Sequence, residues 1–270
     1  LTKEEEDIME RLERAFMNCE KLQQHMRFLL NKGGLYKVYN GNLLYHGCVP
    51  LKDEGTLKPV RIFGHSYKGK GLYEVLESYV RKGFYAVDPK EKERGKDIMW
   101  YIWLGEGSPL FGKDKMATFE RYFLAEKETH KEKKNAYYRL LEDEKVVNVI
   151  LKEFGLPEEG SYIINGHVPV KSKDGENPIK CGGKVLVIDG GFSRAYQKET
   201  GIAGYTLIYN SYGLILAAHE PFESTEAAIE KESDIHSDRT IVERVLERKK
   251  VGDTDIGREL KEQIRDLEVL

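Results

Sequence analysis

The sequence predicts a chain of α/β or α+β class, in which helices flank a mixed sheet. Short apolar runs bounded by turn residues predict strands, most of them after Ser161. Apolar residues recurring every three or four positions predict amphipathic helices near both ends and in the middle. No repeat or linker interrupts this pattern, so we expect one domain over 1–270, with an N-terminal helix at 1–34, a mixed-sheet core at 35–222 and a helical tail at 223–270.

Composition narrows the functional classes. The 270 residues can bury a substantial core, and a formal charge of −3 gives no electrostatic case for binding nucleic acid. The three cysteines are scattered and no apolar run is long enough for a membrane span, which favours a cytoplasmic protein without a membrane partner. The chain starts at Leu1 and enters a helix directly, which we interpret as a piece of a longer protein.

The first elements have clear local signals. Thr2 to Glu5 forms a capping-box pattern, and helical spacing continues to about Leu30 before Gly33-Gly34 ends it. Two short strands at 36–39 and 43–45 flank Asn40-Gly41, a pair of residues typical of a hairpin turn.

The middle of the chain alternates between strand and helix patterns. We expect a strand at 60–63 and a helix at 71–82. The aromatic run 99–103 reads as a buried strand or the start of a short helix. Beyond it, the sequence predicts helices at 119–125 and 137–154 on either side of the charged run 126–134.

Strand patterns dominate after Ser161, and charged helical segments follow from Thr225 onward. Asn210 to Gly213 is a good hairpin turn between the last two predicted strands. The strands are predicted at 162–164, 184–188, 205–209 and 214–217.

Two histidines end apolar strands in similar contexts. His46 is followed by Gly47 and His167 is preceded by Gly166, and each has a proline within four residues. Imidazole at a strand end is a common ligand of divalent transition metals, although a single such histidine is more often structural. A zinc ion would need three or four ligands, and no carboxylate obviously completes the set. The residues therefore suggest half of a metal site.

The order of four motifs resembles the later part of the calcineurin-like metallophosphoesterases. The segments 165–171, 187–196 and 200–213 are similar, more specifically, to class III fructose-1,6-bisphosphatase of Firmicutes and their relatives. The four motifs are Tyr45-His-Gly-Cys-Val-Pro50, Ile98-Met-Trp-Tyr-Ile-Trp103, Ser108-Pro-Leu-Phe-Gly-Lys-Asp114 and Asn165-Gly-His167.

The resemblance implies a function as well as a fold. It implies a calcineurin-like sandwich, and a centre of two divalent metals, expected to be Mn²⁺, with His46 and His167 among the ligands. It also implies hydrolysis of the 1-phosphate of fructose 1,6-bisphosphate, giving fructose 6-phosphate and phosphate in gluconeogenesis. Two ions close together activate water and neutralise charge on the leaving oxygen in such enzymes.

The chain also departs from this family. Members are roughly twice as long, and their N-terminal half supplies Asp-x-His, Gly-Asp-x-x-Asp and Gly-Asn-His motifs. Asp234-Ile-His236 matches the first by letter only, and Gly252 to Asp255 has the wrong spacing for the second. We therefore expect the C-terminal portion of the enzyme, inactive alone, with its catalytic residues and main partner in the N-terminal half; a homo-oligomer stays open.

A sugar bisphosphate also needs cations for the phosphate that is not cleaved. Asp189 is expected to orient His167 or to cap a turn rather than to bind metal. The expected phosphate-binding residues are Lys171, Lys173, Lys180, Arg194 and Tyr196. Weaker candidates, from the charged run and the loop before it, are Lys113, Lys115, His130 and Lys134.

Two other functions remain open from the sequence. The same chemistry could act on another phosphorylated substrate, such as a phosphoprotein or nucleotide. A non-catalytic regulatory or assembly module would follow if the chain occurs naturally as it stands, because its own ligands cannot build the site.

Overall fold

A computed structural model describes residues 1–189, 191–222, 224–230, 232 and 237–269. The helices are α1 (Lys3–Met17), α2 (Glu20–Lys32), α3 (Gly69–Tyr85), α4 (Pro89–Leu104), α5 (Thr118–Phe123), α6 (Tyr137–Leu140), α7 (Glu144–Glu153), α8 (Arg194–Thr200), α9 (Thr225–Glu230) and α10 (Asp255–Val269). The strands are β1 (Tyr36–Tyr39), β2 (Asn42–Tyr45), β3 (Val60–Ile62), β4 (His65–Tyr67), β5 (Tyr162–Asn165), β6 (Ile179–Lys180), β7 (Val185–Val187), β8 (Gly204–Asn210), β9 (Gly213–His219) and β10 (Ser237–Arg244).

A mixed five-stranded sheet in the order β1-β2-β5-β7-β6 carries the candidate site. Its three central strands, β2, β5 and β7, are parallel, and the edge strands β1 and β6 run antiparallel to their neighbours. Asn40 and Gly41 both have positive φ, which permits the tight turn between β1 and β2. The mixed α/β class predicted from the sequence is confirmed.

A second, antiparallel sheet has the order β10-β9-β8. Leu214 of β9 is buried together with Ile164 of β5 and Leu186 of β7, so apolar side chains join the two sheets. The predicted hairpin around 210–213 is confirmed, since Asn210 pairs with Gly213.

The main core lies between the five-stranded sheet, α3, α6 and α7. Leu43, Ile163 and Val185 come from three adjacent strands and are fully buried, as are Tyr73 and Ile150 from the helices. Helix α7 buries Val146, Val147, Ile150 and Leu151 against this core, and apart from Val149 its exposed residues are charged.

The aromatic run at 99–103 is the end of helix α4, so its interpretation as a buried strand is wrong. Asp88 caps the helix by accepting the N–H of Glu91, and Pro89 occupies the first turn, two start signals that precede the run. Only one face of the run packs against the protein: Tyr101 and Ile102 are half-buried, whereas Trp100 is 61% exposed.

Three further expectations need correction. The N-terminal helix is two helices, because α1 ends at Met17 and α2 begins at Glu20. The predicted helix 137–154 is also divided, into α6 and α7. The tail is not entirely helical: β10 pairs with β9, as its β-branched centre, Thr240 to Val242, permits.

Candidate metal centre

Because β2 and β5 are parallel neighbours, the two histidines that follow them lie together at the carboxyl ends of these strands. Leu44 of β2 pairs with Ile164 of β5, so both strands end at the same level. His46 follows the end of β2, and His167 follows β5 after one glycine. The N–H of Gly166 donates to the carbonyl of His46 at 2.9 Å, which joins the two strand ends directly.

The two imidazoles face each other. His46 Nε2 and His167 Nδ1 are 2.9 Å apart, and the rings meet edge to face with centroids 4.8 Å apart. The other ring nitrogen of His167, Nε2, donates to the carbonyl of Phe111 at 2.9 Å. That bond places the ring proton on Nε2 and leaves the Nδ1 lone pair of His167 directed at His46.

His167 adopts a left-handed backbone conformation, with φ of 68°. This region is uncommon for a residue with a Cβ atom and costs of order 1–3 kcal/mol in a well-determined structure. The turn after Gly166 thus holds the imidazole away from the extended path of β5 and over the end of β2.

The loop at 108–112 supports both histidines. The buried Ser108 hydroxyl donates to the carbonyl of Ile102 at 2.8 Å, which anchors the loop to the end of α4. The carbonyl of Pro109 accepts the N–H of Cys48 at 2.8 Å. A Cβ atom at Gly47 would lie 2.4 Å from that same carbonyl oxygen, so only glycine fits after His46.

Partial loss of solvation lowers the pKa of both imidazoles. For His46, loss of solvation is opposed by the Asp189 carboxylate, which raises the pKa. For His167, burial is the largest cause, and neighbouring His46 lowers the pKa further. Both rings are therefore biased toward the neutral form, which is the form that binds a metal.

A cavity of about 500 Å³ opens beside the pair. Apolar side chains from the sheet, including Leu44 and Ile164, form much of its wall. Asn165 also lines it: its Nδ2 donates to the carbonyl of Gly47, whereas its Oδ1 is buried with no hydrogen-bond partner in the described structure. The cavity thus combines an apolar wall with an unused amide oxygen and two imidazoles.

The histidine pair fits part of a metal site. Two nitrogen ligands at right angles on one ion, each about 2.1 Å from it, lie about 3 Å apart, close to the observed 2.9 Å. Among the described residues, however, no group of three histidine, cysteine, aspartate or glutamate side chains is placed to hold an ion. Asp234 and His236 lie outside the described residues. The pair therefore supplies donors but does not complete a site.

Asp189 lies at the end of β7 and lines the same cavity. Its carboxylate accepts the N–H of Gly191 at 3.1 Å, and its carbonyl accepts the N–H of Val170 at 2.7 Å. The residue therefore caps a turn next to the histidines and acts on them through its charge.

The residues expected to bind phosphate are not brought to the cavity wall in the described structure. Lys173 Nζ donates to the carbonyl of Lys198 at 2.9 Å, and Lys180 Nζ lies 3.5 Å from a carboxylate oxygen of Glu176. The other three, Lys171, Arg194 and Tyr196, are exposed.

The secondary candidates lie elsewhere. His130 Nε2 contacts the carbonyl of Leu124 at 2.9 Å, and Lys115 Nζ donates to the carbonyl of Thr129 at 2.6 Å, so both side chains are engaged by backbone carbonyls. Lys113 and Lys134 line a separate pocket on the far side of the 108–112 loop.

Sequence reasoning did not identify the roles of Ser108 and Phe111. The Ser-Pro-Leu-Phe-Gly segment carries a turn signal, and serine often accepts backbone N–H groups in such turns. Here the Ser108 hydroxyl is 3.3 Å from the N–H of Leu110. The contact of the Phe111 carbonyl with His167 involves a backbone atom, so no side-chain pattern could reveal it.

The structure is that of a mixed α/β chain in which two imidazoles face each other at the ends of adjacent parallel strands. A profile of the Firmicute fructose-1,6-bisphosphatase family matches residues 1–270, and the chain belongs to that family.

Curated relatives named fructose-1,6-bisphosphatase class 3 match the whole chain. The chain is 56% identical to the protein of Alkaliphilus metalliredigens over 273 residues and 57% identical to that of Clostridium novyi over 271 residues. In both cases the match covers 100% of this chain and 41% of the relative, so the chain spans less than half of the relatives' length. No solved structure matches the chain.

Proposed function

We propose that this chain forms part of a metal-dependent phosphatase that hydrolyses fructose 1,6-bisphosphate to fructose 6-phosphate and phosphate in gluconeogenesis. The observation that carries the proposal is the 2.9 Å contact between His46 and His167, at the strand ends of a chain whose whole length matches the bisphosphatase family. The match to relatives named for fructose 1,6-bisphosphate favours this substrate over other phosphate esters.

The proposed centre holds two divalent ions, with Mn²⁺ as the expected metal. Imidazole together with carboxylate is a donor set suited to manganese. When bound, the ions supply Lewis acidity, which activates water and offsets the charge of the phosphoryl oxygens. We propose that the remaining ligands come from the N-terminal half of the full-length enzyme.

The residues of this chain have distinct tasks in the proposal. His167 presents Nδ1 because its Nε2–H donates to Phe111, and His46 presents Nε2 beside it. Asn165 holds the segment after His46 by its bond to Gly47.

Exposed apolar helix faces support contact with the rest of the enzyme. Helix α1 buries none of its residues in the described structure, and Ile8, Leu12 and Phe16 on one face are all at least half exposed. Helix α10 buries only Gly257. We propose that the remainder of the enzyme covers these faces, and that the complete protein functions in the cytoplasm. No helix in the described ranges is long and apolar enough to cross a membrane.

The test compares His167→Ala with His25→Ala in the full-length protein. His25 lies exposed on α2, away from the site, so its replacement is a matched control. The proposal expects His167→Ala to lose bound manganese, measured by elemental analysis, and bisphosphate hydrolysis, with both retained in the control. Retention of metal and activity by a folded His167→Ala protein would remove the ligand role.

A second experiment tests the incomplete donor set. This chain alone, supplied with manganese, is expected to give no appreciable hydrolysis of fructose 1,6-bisphosphate, because two imidazoles do not hold a dinuclear centre. Adding the N-terminal half should restore the reaction. Strong hydrolysis by the chain alone would overturn this part of the proposal.

A further inference from the structure

A second pocket lies on the other side of the 108–112 loop from the histidines. It has a volume of about 340 Å³ and is called here the lysine pocket. Its walls are the segments 51–54, 106–108, 112–114 and 133–136, together with Lys58. The charged run and the Ser-Pro-Leu-Phe-Gly loop, which residues 113–125 separate in the sequence, thus meet in one cavity.

The walls of the lysine pocket are tied together before any ligand binds. The N–H of Asn135 donates to the carbonyl of Gly112 at 2.9 Å, and the N–H of Asp114 donates to the carbonyl of Lys133 at 3.0 Å. The side chain of Asn135 accepts the N–H of Leu51 at 3.0 Å, which adds the third wall. A preformed cavity loses little conformational entropy on binding.

Five lysines line the pocket with four acidic residues, and two of the acidic side chains have partners other than the ammonium groups of these lysines. Asp53 is 2.7 Å from Arg139, whose hydrogen bond is the largest cause of its lowered pKa. Asp114 accepts the backbone N–H groups of Lys115 and Lys133. The five lysines are Lys52, Lys58, Lys113, Lys133 and Lys134.

The remaining two acidic residues are paired with lysines of the same wall. Glu106 lies 3.2 Å from Lys58, and Glu54 lies 3.7 Å from Lys52. Lys113 pairs with Glu132 at 2.7 Å, outside the lining. In the described part of the chain, Lys133 and Lys134 form no direct ion pair, although the charge of Lys133 helps to lower the pKa of Asp53 and the Lys134 ammonium lies 5.9 Å from the centroid of the Tyr138 ring. Neither ammonium is in direct contact with a carboxylate there, so two cations at this wall remain available to an anion.

Consecutive residues of the 108–112 loop contact the histidine pair and the lysine pocket. The carbonyl of Phe111 holds His167, and the next residue, Gly112, already belongs to the pocket wall. The two sites therefore share the peptide between residues 111 and 112 as a common wall.

We propose that the lysine pocket binds a phosphate monoester group, held by Lys133 and Lys134 as point charges. In the setting of the proposed function, on which this assignment to substrate rests, the group is the phosphate that is not cleaved. A free phosphorylated small molecule has the same chemistry, and the kinetic arm below separates the two sources.

The experiment measures binding of inorganic phosphate by calorimetry to the full-length protein after removal of metal by a chelator. Without metal, the histidine pair has no bound cation that could attract phosphate, so phosphate binding there does not contribute to the measurement. The Lys133→Gln/Lys134→Gln protein is expected to bind phosphate at least about tenfold more weakly, since two charge-assisted contacts are lost. The matched control, Lys127→Gln/Lys131→Gln, removes two charges from the same segment but none from the lining, and should bind as the wild type does.

Wild-type affinity in the Lys133→Gln/Lys134→Gln protein, or absence of saturable phosphate binding by the wild type, would overturn the assignment. Unchanged unfolding midpoints in both variants guard against a folding defect. With binding lost, a raised KM for fructose 1,6-bisphosphate at similar kcat supports the pocket as a substrate site, and an unchanged KM supports a free phosphorylated ligand. Phosphate binding in a protein without bisphosphatase activity would leave the pocket standing while the proposed function fails.

Discussion

Replacement of Gly95 by alanine should destabilise the helical hairpin of α3 and α4, although alanine is the better helix former. Gly95 is buried where α4 crosses α3, and a Cβ atom there would lie 2.2 Å from the backbone nitrogen of Gly83 and 2.6 Å from the carbonyl oxygen of Tyr79. Those atoms belong to helix backbone, so a side-chain rotation cannot relieve the overlap, and the helices must separate.

Two opposing contributions set the size of the effect. Glycine to alanine inside a helix is worth about 1 kcal/mol in favour of alanine. Overpacking of a tight contact costs about 1–3 kcal/mol, and backbone overlap places this case near the upper end. The net loss is therefore about 1–2 kcal/mol, because separating the helices also loosens the small core of Leu72, Leu76 and Ile98.

The assay is urea unfolding of the full-length protein followed by circular dichroism. Gly71→Ala is the matched control: it also lies in α3, and a Cβ atom there would meet nothing within 4 Å. The control should gain about 0.5 kcal/mol from its lower unfolded-state entropy. A Gly95→Ala protein as stable as the wild type would refute the close-crossing argument.

Three other predictions concern the neighbourhood of the histidines. The hydroxyls of Tyr45 and Tyr137 are 2.7 Å apart and both residues are buried, so Tyr137→Phe should cost about 1–3 kcal/mol by leaving one hydroxyl unpaired. The double replacement to phenylalanine should cost less than the sum of the singles in a thermodynamic cycle, and additivity would contradict the pairing. Burial raises the pKa of the Cys48 thiol from 9.0 to about 12, so its contribution to stability is complete below pH 9 and is lost as the pH rises toward 12. In the folded protein at pH 8 a thiol reagent should therefore modify the exposed Cys19 and leave Cys48 unmodified; rapid modification of Cys48 would refute its burial. Ser108→Ala removes the anchor of the histidine-supporting loop and should weaken manganese binding about 10-fold or more, as loss of a ligand's supporting hydrogen bonds does elsewhere; unchanged affinity by metal titration would contradict that role.

Local signals predicted a large part of the fold. The Asn40-Gly41 pair fixes a tight turn because its two residues tolerate positive φ, and the strand it begins leads directly to His46. The apolar run before Asn165 similarly identified a strand end with a histidine. In both places the information lies within a few residues, so sequence was sufficient.

The run 99–103 shows a secondary-structure prediction from local sequence that was wrong. Five apolar residues in succession fit a buried strand and a helix equally well, and the decision came from the start signal at Asp88 and the packing of α3. The opposite error was made at β10: its charged residues predicted a helix, whereas its backbone pairs with β9 and forms a strand.

The sequence by itself determined that a histidine follows the end of each of two strands, because strand and turn patterns are encoded locally. It also identified the family of bisphosphatases, because the family's motifs are short segments of sequence. Only the tertiary structure decided that the two imidazoles lie 2.9 Å apart, since that distance depends on the parallel register of β2 and β5. It also decided which nitrogen of His167 is free, through a backbone carbonyl 56 residues away in sequence. Lysines from the charged run and from the loop before it meet in one pocket for the same reason: long-range hydrogen bonds, which no short motif records, bring their segments together.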